Sequence, residues 1–423
     1  MSGFPSTRSP LHGRELVALG AYLVSIVAMV RLGTSLYLPA LPRIGADIGL
    51  SPHQLSSTLS TYLAAFSLFS LFLGPLSDRW GRRVLMRGGV AAFLAGSAFC
   101  AFSHGFGMLL SGRLFQALGG AAVQVGTRAV ARDALDDRQL LGVMGWIGVV
   151  TGLVPVLAPI LGGLVTQGLG WRANFHFLVL ATLAVWFSSR RYDIETLPRE
   201  RRSPLGLSGA LRSYAEMCVS PSFVLPILPL MLCFAAQGAY LAGAPFIFIH
   251  VLGLSPALFG ATSLVPVGAL FAGRFLCLAA HRRGKIHAAF PIGAAIAFLG
   301  GLFMSAAAAT GWISVVSILA SCGVFCFGFG VLLPIAMKAG LSAFPDRVGT
   351  SSALFGCLNL AASAVGSAAI GAFLDRSSRD VLALALFTLA VTAVGLLAAP
   401  FAARAVAAES AAATSAPRAG GKG

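Results

Sequence analysis

Twelve apolar runs of about 20 residues or more, parted by short polar breaks, leave this 423-residue chain few ways to fold. The hydrocarbon layer of a bilayer, roughly 30 Å thick, is crossed by about 20 residues of helix, and backbone groups inside it must hydrogen-bond within their own segment. The runs fall at 16–38, 53–75, 84–103, 106–127, 140–166 and 171–189, then at 221–249, 256–278, 287–308, 312–337, 348–373 and 381–403. With 57% hydrophobic and 10% charged residues, the chain lacks the quarter or so of charged residues that a water-facing surface requires. The expected fold is an all-α polytopic membrane protein, with 12 transmembrane helices in two pseudo-symmetric six-helix bundles.

The positive charges orient those helices. The formal net charge is +16, from 30 Lys+Arg against 14 Asp+Glu. The basic residues sit in clusters between spans and not along one face, so no nucleic-acid partner is expected. On the side that holds the N-terminus lie 24 of them; Arg43, Arg172, Arg376 and Arg379 lie opposite, and Arg31 and Arg113 fall within spans. By the positive-inside rule the crowded side is cytoplasmic, both termini included. The first span reads as an uncleaved signal, because no cleavage pattern follows a short apolar core. The expected location is the bacterial inner membrane. The seven cysteines form neither a CxxC pair with a matching partner nor a disulfide framework, so no metal site is expected.

A polar interval around 188–220 separates six spans from six. It predicts an N-terminal six-helix bundle over 1–190, a cytoplasmic linker over 191–220, a C-terminal bundle over 221–405 and a flexible cytoplasmic tail over 406–423. The halves echo each other: GPLSDRWGRR (74–83) has a degraded counterpart in CLAAHRRGKI (277–286), and Asp137-Arg138 is matched by Asp346-Arg347. Parallel half-repeats are the pattern of a transporter whose bundles rock about a central site.

Within the loop at 74–83, Gly74 and Gly81 allow a tight turn and close helix approach. Asp78 can accept hydrogen bonds at a helix end and pair with an arginine such as Arg82 or Arg83, a charged latch that holds one conformation and breaks in another. The competing explanation is a solvated loop that serves topology alone.

These residues resemble the signature loop of the major facilitator superfamily. The likeness extends to GRLFQALGGAAVQVGTRAVARD (112–133) and to GLVPVLAPILGG (152–163), which is similar to the span-5 motif of the antiporter branch. YLPALPRIGADIGLS (37–51), AYLAGAPFIF (239–248), LLP (332–334) and FPDRVGTSSALFG (344–356) resemble the bicyclomycin/chloramphenicol-resistance (Bcr/CflA-type) drug exporters. The resemblance implies that spans 1, 4, 7 and 10 line a central cavity and that Asp78, Arg82 and Asp133 form the latch. It also implies that Gly152, Pro155, Pro159, Gly162 and Gly163 let span 5 pack on span 8 and bend. Small residues permit backbone contact and proline frees a carbonyl, which agrees with that role.

Two positions depart from the family pattern. Ser35 stands where relatives carry an aspartate before YLP, and Ile335 follows Pro334 where an asparagine is usual. All 14 acidic residues sit at span ends, in loops or in the tail. A proton antiporter needs a buried group that titrates as the cavity changes sides, usually a carboxylate. The family expectation of coupling to a proton gradient therefore has little support in these residues, and no other cofactor is implied.

Arg31 brings the opposite charge to the same face as Ser35. Either Arg31 and Arg113 bind an anionic group of a small-molecule substrate, or Arg31 snorkels to the periplasmic edge. Tyr62, Gln116, Gln124, Gln237, Tyr240 and Asn359 are further substrate-binding candidates, and each can equally bond across helices. No cluster of His, Asp or Glu lies at membrane depth, so an enzyme is not expected. The expected function is export of a small amphipathic compound by a monomer in the lipid bilayer. The alternatives are a facilitator or importer of an organic anion, or a non-transporting receptor with the same fold.

Overall fold

The computed structural model describes residues 13–192, 195–197, 207–283, 286–375 and 379–415. Parts of the expected linker (193–194 and 198–206) and tail (416–423), and Arg8, Lys285 and Arg376 of the charge pattern, lie outside them. Among the described residues every regular element is helical. The first half holds α1 (Arg14–Ser35), α2 (Leu41–Ile48), α3 (Pro52–Trp80), α4 (Arg82–Ala101), α5 (Phe106–Ala134), α6 (Asp137–Leu169) and α7 (Trp171–Tyr192). After α8 (Leu207–Val219) come α9 (Pro221–Phe246), α10 (Pro256–Thr262), α11 (Leu264–Arg282), α12 (Ile286–Ala309), α13 (Val315–Ser342), α14 (Val348–Gly371) and α15 (Arg379–Ser415).

Eleven helical stretches among the described residues are long and apolar enough to cross a membrane. The twelfth expected span is α7, whose 22 residues reach about 33 Å. Arg172, Asn174 and His176 in its first turns lower its mean hydropathy, yet it packs against α4 and α1. Helix starts follow local chemistry: Ser51 with Gln54, and Asp136 with Gln139, close capping boxes that satisfy free N–H groups of α3 and α6. Gly81 joins α3 to α4 at φ 101°, a conformation that side chains disfavour.

Three elements depart from the sequence expectation. The run 256–278 is broken at Ser263 into α10 and α11, because Pro266 has no N–H for the Thr262 carbonyl. The run 221–249 ends in a wide π turn over Ile247–Val251, just past Pro245. The polar linker contains a helix, α8, which buries Tyr214 and Met217 against the second half.

The helices alternate in direction, so their ends define two faces. One carries the α3–α4 and α5–α6 connections and is called here the basic face; the other, with the α1–α3 and α6–α7 connections, is the distal face. Helices of each half pack chiefly on one another: α5 on α3, α4 and α1, and α13 on α12, α11 and α9. Two seams join the halves, α3 against α14 and α6 against α10. Around the distal face the Leu38–Ala40 turn and α2 also reach α9 and α10, and one continuous apolar cluster runs from Leu36, Tyr37 and Leu38 to Phe246, Phe248 and Phe259. The gap between α1 and α5 of one half and α9 and α13 of the other, covered by that apolar cluster at the distal face and edged by the exposed Ser25 and Arg128 toward the basic face, is called here the central cavity.

Candidate functional site

One wall of the cavity comes from α1 and α5. Helix α7 lies behind α1 and α5 and α6 flank it, so the open stripe Ser25, Ala28, Arg31 and Ser35 faces the second half. On α5 the corresponding residues are Gln124 and Arg128, one helical turn apart. Arg128 is exposed, toward the basic-face end of α5. Arg31 is half-buried, lies near Tyr62, and has a shielded Nε with no hydrogen-bond partner among the described residues. Gln124 makes no hydrogen bond with the described residues either.

Arg113 and Gln116 are not in that wall. Both are fully buried. Arg113 Nη1 donates to the Gly33 carbonyl at 2.9 Å and to Gln116 Oε1 at 2.8 Å, and Gln116 Nε2 donates to Ser97 Oγ at 2.9 Å. The guanidinium is held between two rings, 4.4 Å from the Tyr37 centroid and 4.1 Å from that of Tyr62. The Tyr62 hydroxyl accepts from Thr34 at 3.1 Å, and Tyr37 bonds Thr58. Arg113, Gln116 and Tyr62, expected to meet substrate, lie inside the first half in this conformation, where together they fasten α1, α3, α4 and α5 to each other. Their polarity marked them as ligands, but the rotation of α5 turns them inward.

The opposite wall belongs to α9, where Met231, Phe234 and Gln237 lie half-exposed at successive turns, and Phe234 meets Phe329 of α13 edge-on at 4.9 Å. Tyr240 turns away into the second half. It lines a small pocket with Cys322, Phe325 and Thr388. Asn359 is buried within α14 and its Oδ1 has no hydrogen-bond partner among the described residues.

At the basic face Arg82 is enclosed by acceptors. Its Nη1 donates to Asp78 Oδ1 at 2.6 Å and Ser77 Oγ at 2.7 Å, its Nε to Asp133 Oδ2 at 3.0 Å, and its backbone N–H to Glu195 Oε1 at 2.9 Å. Arg83 is exposed, and a side chain at Gly74 would meet open space. The expected close approach at Gly74 is therefore absent, and Gly81 carries the turn. In the second half Arg347 Nη1 donates to Glu216 Oε2 at 2.8 Å. Glu216 lies outside the spanning segments, and the Arg347 bond, with Arg212 beside it, holds its carboxyl below the ordinary value. Asp380 is fully buried, but in the first turn of α15 at the distal face, where it accepts the Asp375 N–H at 3.0 Å.

The α6 glycines meet three different partners. A Cβ on Gly163 would overlap the Pro256 carbonyl of α10, one on Gly162 the Leu36 carbonyl, and one on Gly152 the Phe271 ring of α11. Gly260 rests in turn on the Pro159 carbonyl, and Ser263 Oγ donates to the Val156 carbonyl at 3.1 Å. Pro155 and Pro159 both lie inside α6. This contact occupies the distal half of α6 only; Leu141, Trp146 and Val149 toward the basic face are exposed.

Sequence comparison bears on what this architecture serves. Residues 23–367 match the family model described as Major Facilitator Superfamily. The chain is 29% identical over 377 residues to Multidrug resistance protein D of Escherichia coli (strain K12), covering 89% of this chain and 92% of that one. It is 28% identical over 367 residues to the uncharacterized MFS-type transporter YdgK of Bacillus subtilis (strain 168), covering 85% and 90%. It is also 28% identical over 350 residues to Multidrug resistance protein MdtL of Escherichia coli O81 (strain ED1a), covering 82% and 87%. Among solved structures, a peptide transporter POT in complex with sulfate superposes with a TM-score of 0.74 at 16% identity, over 95% of this chain and 98% of that one. A bacterial homolog of the human lysosomal transporter Spinster, inward-facing and unoccupied, gives 0.71 at 16% identity, over 94% and 99%. At such identity the structural likeness speaks to the fold alone.

Proposed function

Because the chain belongs to the major facilitator superfamily, we propose that it exports small amphipathic organic compounds across the bacterial inner membrane by alternating access. The observation that carries this reading is the cavity between the halves, sealed by an apolar layer at the distal face and open where the basic residues cluster. If the basic face is cytoplasmic, as the positive-inside rule requires, a compound enters from the cytoplasm and leaves when the distal layer parts. The relatives named as multidrug resistance proteins support an exporter.

Ser35, Gln124 and Gln237 supply hydrogen bonds to the compound, and Met231 and Phe234 its apolar contacts. Arg82 with Asp78 and Asp133 forms the latch. Those charges all belong to the first half, so the latch does not bridge the halves in this conformation, consistent with an open basic face. The protein works as a monomer. A second reading, uncoupled movement of an organic anion, is favoured by the placement of acidic residues: among the described residues none lines the cavity midway through a span.

Efflux from cells that express the protein, followed with a panel of cationic and anionic dyes with and without a protonophore, tests both. Export that collapses with the protonophore supports coupled exchange; equilibration that survives it supports the uncoupled reading. Absence of any dye movement in cells and in proteoliposomes rejects transport.

A further inference from the structure

We infer that Arg31, Gln124 and Arg128 form an anion-binding subsite in the central cavity, and that the compounds moved carry a carboxylate, sulfonate or phosphate on an apolar body. The inference rests on the transport reading above and specifies its substrate.

The geometry begins with the antiparallel pair α1 and α5. A Cβ on Gly120 would touch Val30, so residue 30 of α1 stands level with residue 120 of α5. Helical side chains lean toward their own N-terminus. In α1 that direction is the basic face, and in α5 it is the distal face. Arg31 therefore leans down the cavity and Arg128 leans up. Eight residues of α5 separate Arg128 from the level of Gly120, about 12 Å at 1.5 Å per residue. Two extended arginines close that gap, and Gln124 lies midway on the same face as Arg128.

Arg31 leans away from the distal edge, so it does not snorkel there. Its shielded Nε lacks a partner, and neither arginine has an ion pair among the described residues. Two guanidiniums within reach of one gap and without a counter-charge there repel each other, an arrangement that an anion with two acceptor oxygens relieves. Arg82 is paired with two carboxylates, and Arg113, whose Nε and Nη2 are also buried without a hydrogen-bond partner among the described residues, is held by a carbonyl, an amide and two rings. Arg31 and Arg128 have no hydrogen bond, ion pair or ring contact with the described residues. The half-exposed Met231 and Phe234 on α9 supply an apolar surface across from the charges.

The test is binding of carboxyfluorescein, a dye with several acid groups on an aromatic body, to the purified full-length protein in detergent, read by fluorescence anisotropy. Arg31→Gln and Arg128→Gln should each weaken binding by about tenfold or more, as loss of a charged hydrogen bond does. Arg31→Lys, which keeps the charge, should retain part of it, and added salt should weaken binding to the wild type more than to the double variant. Arg43→Gln removes the same charge from the distal surface and should change nothing. The inference is overturned if monodisperse Gln variants bind within about twofold of wild type, or if Arg43→Gln weakens binding equally. Binding that depends on the arginines, with no dye flux in proteoliposomes, would count against the transport reading alone.

Discussion

Replacing Arg113 should destabilise the first half of the protein more than it weakens substrate binding. Arg113→Met keeps an unbranched apolar side chain but removes both Nη1 hydrogen bonds and both ring contacts. Interhelical hydrogen bonds in membrane proteins average about 0.6 kcal/mol each, and a desolvated cation over a ring adds roughly 1–2 kcal/mol. Two of each sum to roughly 3–5 kcal/mol, with Gln116 Oε1 left unpaired in addition. Arg113→Lys should fall between, because an ammonium bonds Gly33 and Gln116 but cannot lie flat between two rings. The assay is thermal unfolding of purified protein in detergent, where a loss of that size lowers Tm by several degrees. Carboxyfluorescein affinity is measured on the same samples. If Arg113→Met melted within about a degree of wild type and lost binding as fully as Arg31→Gln, Arg113 would be a ligand and the clamp argument would fail.

Three further outcomes follow from other parts of the structure. Gly163→Leu should push α6 off the Pro256 carbonyl of α10, raising distal-face thiol accessibility and cutting export by at least about tenfold, a barrier change of about 1.4 kcal/mol; normal export would show that the seam tolerates a side chain. The Glu216 carboxyl is held below its usual value of about 4.3 by Arg347, so the anchorage of α8 is complete above that pH and fades as pH falls through the lower folded value. Amide exchange along α8 should quicken over that acid range in the wild type and be fast at neutral pH in Glu216→Gln; identical neutral-pH exchange in the two would remove the pair from the account. Cys218 is the exposed cysteine among the described residues, and partial burial pushes its thiol up, so an impermeant maleimide should label it slowly at neutral pH and faster in alkali. Labelling should occur in inside-out vesicles and not in intact spheroplasts; the reverse would invert the topology.

The spans were legible because hydropathy alone demands them, and the capped starts of α3 and α6 fell where Ser51 and Asp136 precede apolar runs. The break at Ser263 was hidden because α10 and α11 are both apolar, and only the missing N–H of Pro266 hints at it. Helix α8 escaped notice because charges flank it, although Leu211, Tyr214 and Met217 recur at three-residue spacing. The cavity side chains were harder to find. Arg113 and Arg128 differ by how α5 is rotated against α1, a quantity that no single-helix pattern contains. Arg128 was counted with the basic cluster that orients the chain, which masked its place one turn from Gln124. Arg31 was marked by its cost in a span, and that argument needed no partner.

The two seams between the halves constrain how the cavity can change sides. Along α3 and α14 the contact spans both levels: Ser56 Oγ donates to the Ser367 carbonyl at 3.1 Å near the distal end, and Ser67 Oγ to the Cys357 carbonyl at 2.9 Å further in. Tyr214 of α8 then donates to the Leu71 carbonyl at 3.4 Å, nearer the basic face. The α6–α10 contact, by contrast, is confined to the distal half. A motion that opens the distal face must separate Gly163 from Pro256 and Gly260 from Pro159, contacts that involve no charge and few hydrogen bonds. The α3–α14 seam can stay paired near Ser67 and act as the axle. Among the described residues, Arg82 is paired within its own half and with Glu195 of the linker, and Arg347 with Glu216 of α8. Closing that face breaks none of these pairs between the two bundles. If the anion subsite inferred above forms between Arg31 and Arg128, tightening the cavity would raise their mutual repulsion and an anion held there would offset it, so that ligand binding would favour closure.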